Sequence, residues 1–171
     1  VMTGKKVLVA NRGEIAVRVI KACKDLKLKT VLVVSEADQE SMGAELADEV
    51  VCIGPAAAAA SYLDIQKVID AAVETGADAI HPGYGFLAEN AGLPEAWEDS
   101  AITFIGPSAD VMRQLGDKIS ARGLAKKSDV PMAEGSEGLD SFEDVEAEIE
   151  KAGFPVIFKA AAGSGGRGMR I

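Results

Sequence analysis

Residues 6–34 read KVLVANRGEIAVRVIKACKDLKLKTVLVV, and this stretch decides the fold. Lys6-Val-Leu-Val-Ala10 is a short apolar run of strand length, and Thr30-Val-Leu-Val-Val34 is a β-branched run suited to a buried parallel strand. Between them Ile15, Val19, Ala22, Cys23 and Leu26 recur at helical spacing, which predicts one buried helix face. Asn11 stands three residues before Glu14, an arrangement resembling a capping box that marks the helix start. Glu14, Arg18, Lys21 and Asp25 form the polar stripe, spaced for two opposite-charge i,i+4 pairs. Strand, helix and strand together make a βαβ unit.

The pattern repeats outward from that unit. A short helix near 41–47 precedes the apolar run Glu49-Val-Val-Cys-Ile53. Ile65, Val68, Ile69 and Ala72 mark a helix that stops at Gly76, a common C-terminal glycine. Ala77–His81 reads as a strand, 87–99 as a helix and Ile102–Ile105 as another strand. Five strands separated by helical segments predict an α/β fold, a Rossmann-like, doubly wound parallel sheet with flanking helices and right-handed crossovers. That unit ends near Gly106-Pro107, and 108–131 reads as a helical connector. Beyond it, Ser141 with Asp144 caps a helix whose apolar face is Phe142, Val145 and Ile149. Val156–Lys159 is a strand, Gly163-Ser-Gly-Gly-Arg-Gly168 a glycine loop, and Met169-Arg-Ile171 the start of another strand. The expected divisions are therefore 1–107, 108–131 and 132–171, the last an unfinished second unit.

Composition narrows the function classes. The chain has 171 residues, 48% of them hydrophobic, and a net charge of −9. That charge disfavours a general nucleic-acid-binding role, since neutralising phosphates takes a basic face. No apolar run reaches the roughly 18 residues of a membrane span, and no secretory leader is expected before Lys5-Lys6. Cys23 and Cys52 both sit in apolar stretches and read as buried thiols in a reducing, cytoplasmic compartment, or in a mitochondrial matrix once a presequence is removed. His81 has no closely spaced Cys or His partner, so no metal site is expected. The acidity is local: residues 134–151 hold eight acids against Lys151, whereas residues 159–171 carry Lys159, Arg167, Arg170 and no acid.

Two segments can carry chemistry. In the glycine loop, Gly163, Gly165 and Gly168 let backbone N–H groups approach an anion, with Lys159 and Arg167 supplying positive charge. A dinucleotide fingerprint belongs at the first strand–helix turn, where only Gly13 stands, and the Gly-Lys-Ser/Thr ending of a Walker loop is absent. A strand–glycine loop–strand hairpin folded over triphosphate fits, and so does a plain surface loop. The second segment, His81-Pro-Gly-Tyr-Gly-Phe-Leu-Ala-Glu-Asn90, leaves the carboxyl end of a strand, where α/β sheets present ligand-binding loops. Its tight turn can hold Tyr84 and Glu89 near a cleft. A capping turn with a hydrogen-bonded His81 is the plainer reading of each residue alone.

Taken together, ten blocks in order resemble the N-terminal part of the biotin carboxylases. They are Ala10-Asn-Arg-Gly-Glu-Ile-Ala16, Ala47-Asp48, Ile53-Gly-Pro55, Ser61-Tyr-Leu63, His81-Pro-Gly-Tyr-Gly-Phe-Leu87, Glu89-Asn90, Phe104-Ile-Gly-Pro107, Gly116-Asp-Lys118, Pro155-Val-Ile157 with Lys159, and Gly165-Gly-Arg-Gly-Met-Arg170. The resemblance implies an ATP-grasp ligase that activates bicarbonate with ATP and Mg²⁺ as carboxyphosphate and carboxylates biotin on a carrier domain. It implies a biotin carboxyl carrier domain and a carboxyltransferase as partners, and a homodimer. By the same resemblance Lys118 and Lys159 contact ATP phosphates, and Gly165, Gly166 and Met169 belong to a lid over the nucleotide, completed by Gly163 and Gly168 of the loop. Tyr84 and Glu89 face the active site. Arg18, Lys21 and Asp25 lie at the dimer interface, where the family more often has arginine and glutamate for the last two. Other departures are Ala56–Ala60, Ala161-Ala-Gly-Ser164 and Met132-Ala-Glu134. The positions for metal-binding acids, for the bicarbonate-binding Arg and Lys and for the catalytic base fall outside residues 1–171, so this chain alone is expected to be inactive. The residues themselves also allow an NAD-binding Rossmann domain of an oxidoreductase, or a non-catalytic oligomerisation or binding module.

Overall fold

Apolar residues on successive positions of a strand need cover on both faces, and a parallel sheet between helix layers supplies it. In the computed structural model, which describes residues 4–98, 101–116, 118–132, 135–136, 139, 141–159 and 169–170, this is how the first unit is built. Its strands are β1 (Lys6–Val9), β2 (Lys29–Val34), β3 (Glu49–Cys52), β4 (Ala79–His81) and β5 (Thr103–Phe104). They form one sheet in the order β3-β2-β1-β4-β5, and every pairing is parallel. The registers Val7↔Thr30 and Val7↔Ala79 place β1 at the centre.

The two faces carry separate clusters because side chains alternate along a strand. Val7, Val9, Leu32, Val34 and Ala79 pack with Ala16, Val19, Ile20 and Cys23 of α1 (Gly13–Asp25), with α2 (Met42–Leu46) beside them. Leu8, Val31, Val33 and Ile80 pack on the opposite face with Val68, Ala71 and Ala72 of α3 (Ile65–Glu74), and with Leu87, Leu93 and Trp97. The end of α3 is a Schellman motif: Gly76, at φ +62, donates to Val73 O, and Ala77 donates to Ala72 O.

Several expectations shift. The buried face of α1 is Ala16, Val19, Ile20 and Cys23, rotated from the one proposed, and Leu26 is 68% exposed because α1 ends before it. Among the described residues no ion pair joins Glu14 to Arg18 or Lys21 to Asp25. Cys23 is buried but Cys52 is exposed, since β3 is an edge strand. The helix expected over 87–99 is a 3₁₀ turn, Phe86–Glu89, followed by the short α4 (Gly92–Glu95). Asn90 separates them, with an extended backbone and a side-chain oxygen that accepts from Gly92 N–H.

The chain divides into two units, Val1–Met112 and Arg113–Ile171, and the division falls within α5 (Ala109–Gly116). The second unit contains α6 (Lys118–Lys127), α7 (Phe142–Ala152), β6 (Phe158–Lys159) and β7 (Met169–Arg170). Ser141 caps α7 as expected, accepting from Asp144 N–H at 3.1 Å. Yet no residue of α7 is buried, and Phe142 is 72% exposed, so among the described residues its apolar stripe has no core cover. β6 and β7 pair antiparallel in the register Lys159↔Met169. No helix among the described residues is long and apolar enough to cross a membrane.

One carboxylate ties the sheet's entry to the segment before β3. Asp48 Oδ2 accepts from Thr30 N–H and from Thr30 Oγ1, both at 2.8 Å, and these bonds hold its carboxyl below the ordinary 3.8. Asp48→Asn should lower stability at neutral pH by about 1–2 kcal/mol in urea titrations. A carboxyl depressed on folding contributes fully above its unfolded value and loses that contribution as pH falls through the folded one. The difference between the two proteins should therefore close below about pH 4; a constant gap would assign the loss to shape rather than charge.

Candidate functional site

The chain order β1-β2-β3 runs to one side of the sheet, and β4 and β5 return to the other. The crevice between the carboxyl ends of β1 and β4 is thus the topological switch point, where open α/β sheets bind ligands. Two segments meet there: the β1–α1 turn Asn11-Arg-Gly13 and the loop His81–Asn90.

Asn11 does not cap α1. The N-cap is Arg12, with extended backbone and no side-chain cap. Asn11, 2% exposed, instead sends Nδ2–H to Pro82 O at 2.8 Å and to Tyr84 O at 2.9 Å. Its Oδ1 accepts from Arg12 N–H at 2.9 Å. Ala10 N–H extends the ladder to His81 O at 2.9 Å. Gly83 has φ +69, and a Cβ there would lie 2.6 Å from Ile15 Cγ2 and 2.8 Å from Asn11 Nδ2, so glycine permits this close approach. His81 turns inward: its Nδ1 accepts from Gly83 N–H at 3.0 Å, and burial lowers its pKa below 6.5. The neutral ring is the form that accepts this bond.

Arg12 builds the other wall. Its guanidinium carbon lies 5.4 Å from the ring centroids of both Tyr62 and Phe86, which are themselves 5.2 Å apart and stacked. Arg12 Nη1 reaches Asp38 Oδ2 at 3.5 Å. The same oxygen accepts from Tyr62 Oη at 2.6 Å and Ser35 Oγ at 2.8 Å, while Tyr62 Oη accepts from Ser35 N–H. Burial pushes Asp38 up, but the bonds from Tyr62 and Ser35 and the Arg12 charge outweigh it, and its pKa lies below 3.8. Burial, then donation to Asp38, raises the Tyr62 phenol above 10.0. At neutral pH the anion and its donors are all in place.

Of the residues proposed from sequence, Tyr84 and Glu89 leave this loop into solvent, Tyr84 at 77% exposure. Arg18, Lys21 and Asp25 share an open groove of about 620 Å³ between α1 and α2, with Glu14, Val17 and Met42 also lining it. Lys118 opens α6, Lys159 ends β6 and Met169 begins β7 across from it. Gly163, Gly165, Gly166 and Gly168 lie outside the described residues. The sequence reading missed Asn11 as a loop anchor, and Arg12, Asp38, Tyr62 and Phe86 as a cluster. The available signal was Asn11 directly after an apolar strand, facing a Gly-Tyr-Gly turn that needs donors for its carbonyls.

Comparison with known proteins follows the same division. Residues 3–112 match the family described as biotin carboxylase, N-terminal domain, and residues 117–171 match the ATP-binding domain of the carbamoyl-phosphate synthase L chain. The chain is 57% identical over 169 residues to a biotin carboxylase of Pseudomonas aeruginosa, covering 98% of this chain and 38% of that protein. A Campylobacter jejuni biotin carboxylase structure, a β-γ-ATP complex, matches with a TM-score of 0.92 and 45% identity, over 99% of this chain and 38% of that one. The biotin carboxylase domain dimer of a Hydrogenobacter thermophilus 2-oxoglutarate carboxylase, with MgADP, ADP and bicarbonate, gives 0.91 and 46%, over 98% and 37%. The chain thus spans under two-fifths of the length of these relatives.

Removing the Asn11 amide strands two loop carbonyls. Asn11→Ala should cost about 2–3 kcal/mol in urea unfolding followed by Trp97 fluorescence, and should speed amide exchange at Gly83 and Gly85. A loss under about 0.5 kcal/mol, typical of a surface site, with unchanged exchange would remove Asn11 as the anchor.

Proposed function

The chain belongs to the biotin carboxylase N-terminal domain family, and on that premise we propose that it is the opening part of a biotin carboxylase, an ATP-dependent ligase. The observation that carries this reading is the family match over residues 3–112, joined to 57% identity across 98% of the chain. In the reaction assigned to the whole protein, a bicarbonate oxygen bonds to the γ-phosphorus of ATP as the bond to ADP breaks. The product is carboxyphosphate. Its carboxyl group then passes to a ureido nitrogen of biotin on a carrier domain, and phosphate leaves with the nitrogen's proton. A carboxyltransferase takes the group onward, and the setting is the cytoplasm.

The proposed organisation is an N-terminal domain over 1–107, a helical connector over 108–131 and the start of an ATP-grasp domain over 132–171. Phosphoryl transfer depends on positioning and charge neutralisation more than on covalent help. We assign that work here to Lys118 and Lys159 and to the backbone N–H groups of Gly163, Gly165, Gly166 and Gly168, with Met169 over the nucleotide. The match of 117–171 to an ATP-binding domain and the Lys159↔Met169 pairing support this assignment. Magnesium, when bound, neutralises charge on the transferred phosphoryl group. Its ligands are assigned to residues outside 1–171, where the resemblance to the biotin carboxylases places the metal-binding acids. Tyr84 and Glu89 are assigned to the active-site face of the loop, and Arg18, Lys21 and Asp25 to a homodimer surface. The groove that gathers these three supports the last assignment.

A chimera joining this chain to the part of the Pseudomonas aeruginosa enzyme beyond the matched region tests the reading. It should release ADP only with both bicarbonate and biotin present, and Lys118→Ala or Lys159→Ala should lower kcat/KM for ATP by about 100-fold. The 171-residue chain alone should release none. A folded chimera that ignores bicarbonate, or a lone chain that turns over with biotin, would overturn it.

The dimer surface has its own test. In that chimera, Lys21→Glu alone should raise the dimer dissociation constant about tenfold by sedimentation, by setting it against Asp25 of the partner subunit, and adding Asp25→Lys should restore the complementarity. An unchanged constant places the interface elsewhere.

A further inference from the structure

Phe86 is a bulky aromatic residue at φ +48, a left-handed backbone that side chains with a Cβ rarely adopt and that strained functional loops retain only when their surroundings enforce it. It lies between Tyr84 and Glu89, at the start of the 3₁₀ turn Phe86–Glu89. The enforcing groups are visible. Tyr62 stacks on its ring, and the Arg12 guanidinium caps both rings at 5.4 Å. Arg12 is held in turn by Asp38, whose Oδ2 gathers Arg12, Tyr62 and Ser35.

We propose that Arg12 is a positioning residue: stacked over Tyr62 and Phe86 and anchored by Asp38, it holds Phe86 in its left-handed backbone and so sets where Tyr84 and Glu89 stand at the switch point. The proposal deepens the functional reading above, because the importance of Tyr84 and Glu89 rests on that reading. Its structural content does not. Asn11 grips the loop at Pro82 and Tyr84, and Arg12, the next residue, grips it two residues further on. Consecutive residues at the exit of β1 therefore restrain the loop backbone from Pro82 to Phe86. Lysine cannot replace Arg12 in this role, since only the planar guanidinium can lie over two rings while its N–H groups point to a carboxylate.

The test uses the 171-residue chain and amide hydrogen exchange, so its failure is distinguishable from failure of the chimera to turn over. The turn is reported by Ala88 N–H, which donates to Gly85 O, and by Asn90 N–H, which donates to Leu87 O. The sheet is reported by Ala10 N–H on His81 O and Ile105 N–H on Ile80 O. Arg12→Gln should accelerate exchange at Ala88 and Asn90 about tenfold or more while Ala10 and Ile105 keep their rates. Arg12→Lys should behave like Arg12→Gln. Unchanged rates at Ala88 and Asn90 would overturn the proposal. Equal acceleration at all four amides would make Arg12 a general stabiliser, and full rescue by lysine would make it a simple charge; either result also overturns it.

A double-mutant cycle with Phe86→Asn reads the coupling directly, since asparagine accepts a left-handed backbone more readily but has no ring for Arg12 to cap. If Arg12 acts through Phe86, the pair together should accelerate the turn amides no more than about twofold beyond the larger single effect. Multiplying effects would place the action of Arg12 elsewhere. Tyr62→Phe, which keeps the ring and removes the hydroxyl, serves if Arg12→Gln fails to fold. It should accelerate the turn amides less than Phe86→Asn does, and the reverse order overturns the proposal.

Discussion

The side-chain amide of Asn11 is the constraint on which the rest of the candidate site depends. At a switch point two neighbouring parallel strands send their connections to opposite sides, so the loops above them have no ladder to pair with. Their carbonyls still need donors, since a buried unpaired carbonyl costs about as much as a lost hydrogen bond. Asn11 supplies both missing donors from one nitrogen, to Pro82 O and Tyr84 O. It can do so only because Gly83 brings the loop backbone against it, in a space that a Cβ would fill. A buried polar residue thus takes the place of strand pairing where the sheet divides.

Electrostatics complete what that amide begins. Asp38 Oδ2 collects donors from Ser35, Tyr62 and Arg12, which come from the end of β2, the segment before α3 and the exit of β1. The pairing keeps Asp38 ionised and Tyr62 protonated, so acceptor and donor are both in the form the geometry needs at neutral pH. Arg12 is 44% exposed along its side chain, so its ion pair with Asp38 contributes little by itself. Its larger role is geometric. It joins a carboxylate on one element to two aromatic rings on others, and one of those rings belongs to a backbone-strained residue.

The fold was legible because it rests on local periodicity. Runs such as Thr30–Val34 and the spacing of Ile65, Val68, Ile69 and Ala72 carry their structure in the order of residues. The parts that were not legible depend on partners distant in sequence. Asn11 three residues before Glu14 has the local form of a cap, but its partners lie more than seventy residues away and outcompete the helix end. Cys52 sits in an apolar run, yet exposure follows from β3 being at the sheet's edge, which no residue near it announces. Residues 87–99 have helical composition, and Asn90 interrupts them by accepting from Gly92. Tyr84 and Glu89 were singled out because they lie in a quotable motif. The residues beneath them were missed because their chemistry is only visible once the strands are paired.

This difference between what a motif displays and what holds it has a mechanical consequence. Among the described residues no side-chain hydrogen bond or ion pair holds Tyr84 or Glu89; Asn11 and Arg12 restrain the loop that carries them. Those two residues are also the last before α1, whose first turn opens the groove lined by Glu14, Arg18, Lys21 and Asp25. Helix and loop therefore share one short connection. Because the β1 ladder fixes the strand on one side and the core face Ala16, Val19, Ile20 and Cys23 fixes the helix on the other, that connection has little freedom. A force that shifts α1 along its axis must either break the hydrogen bonds of Asn11 or carry Tyr84 with it.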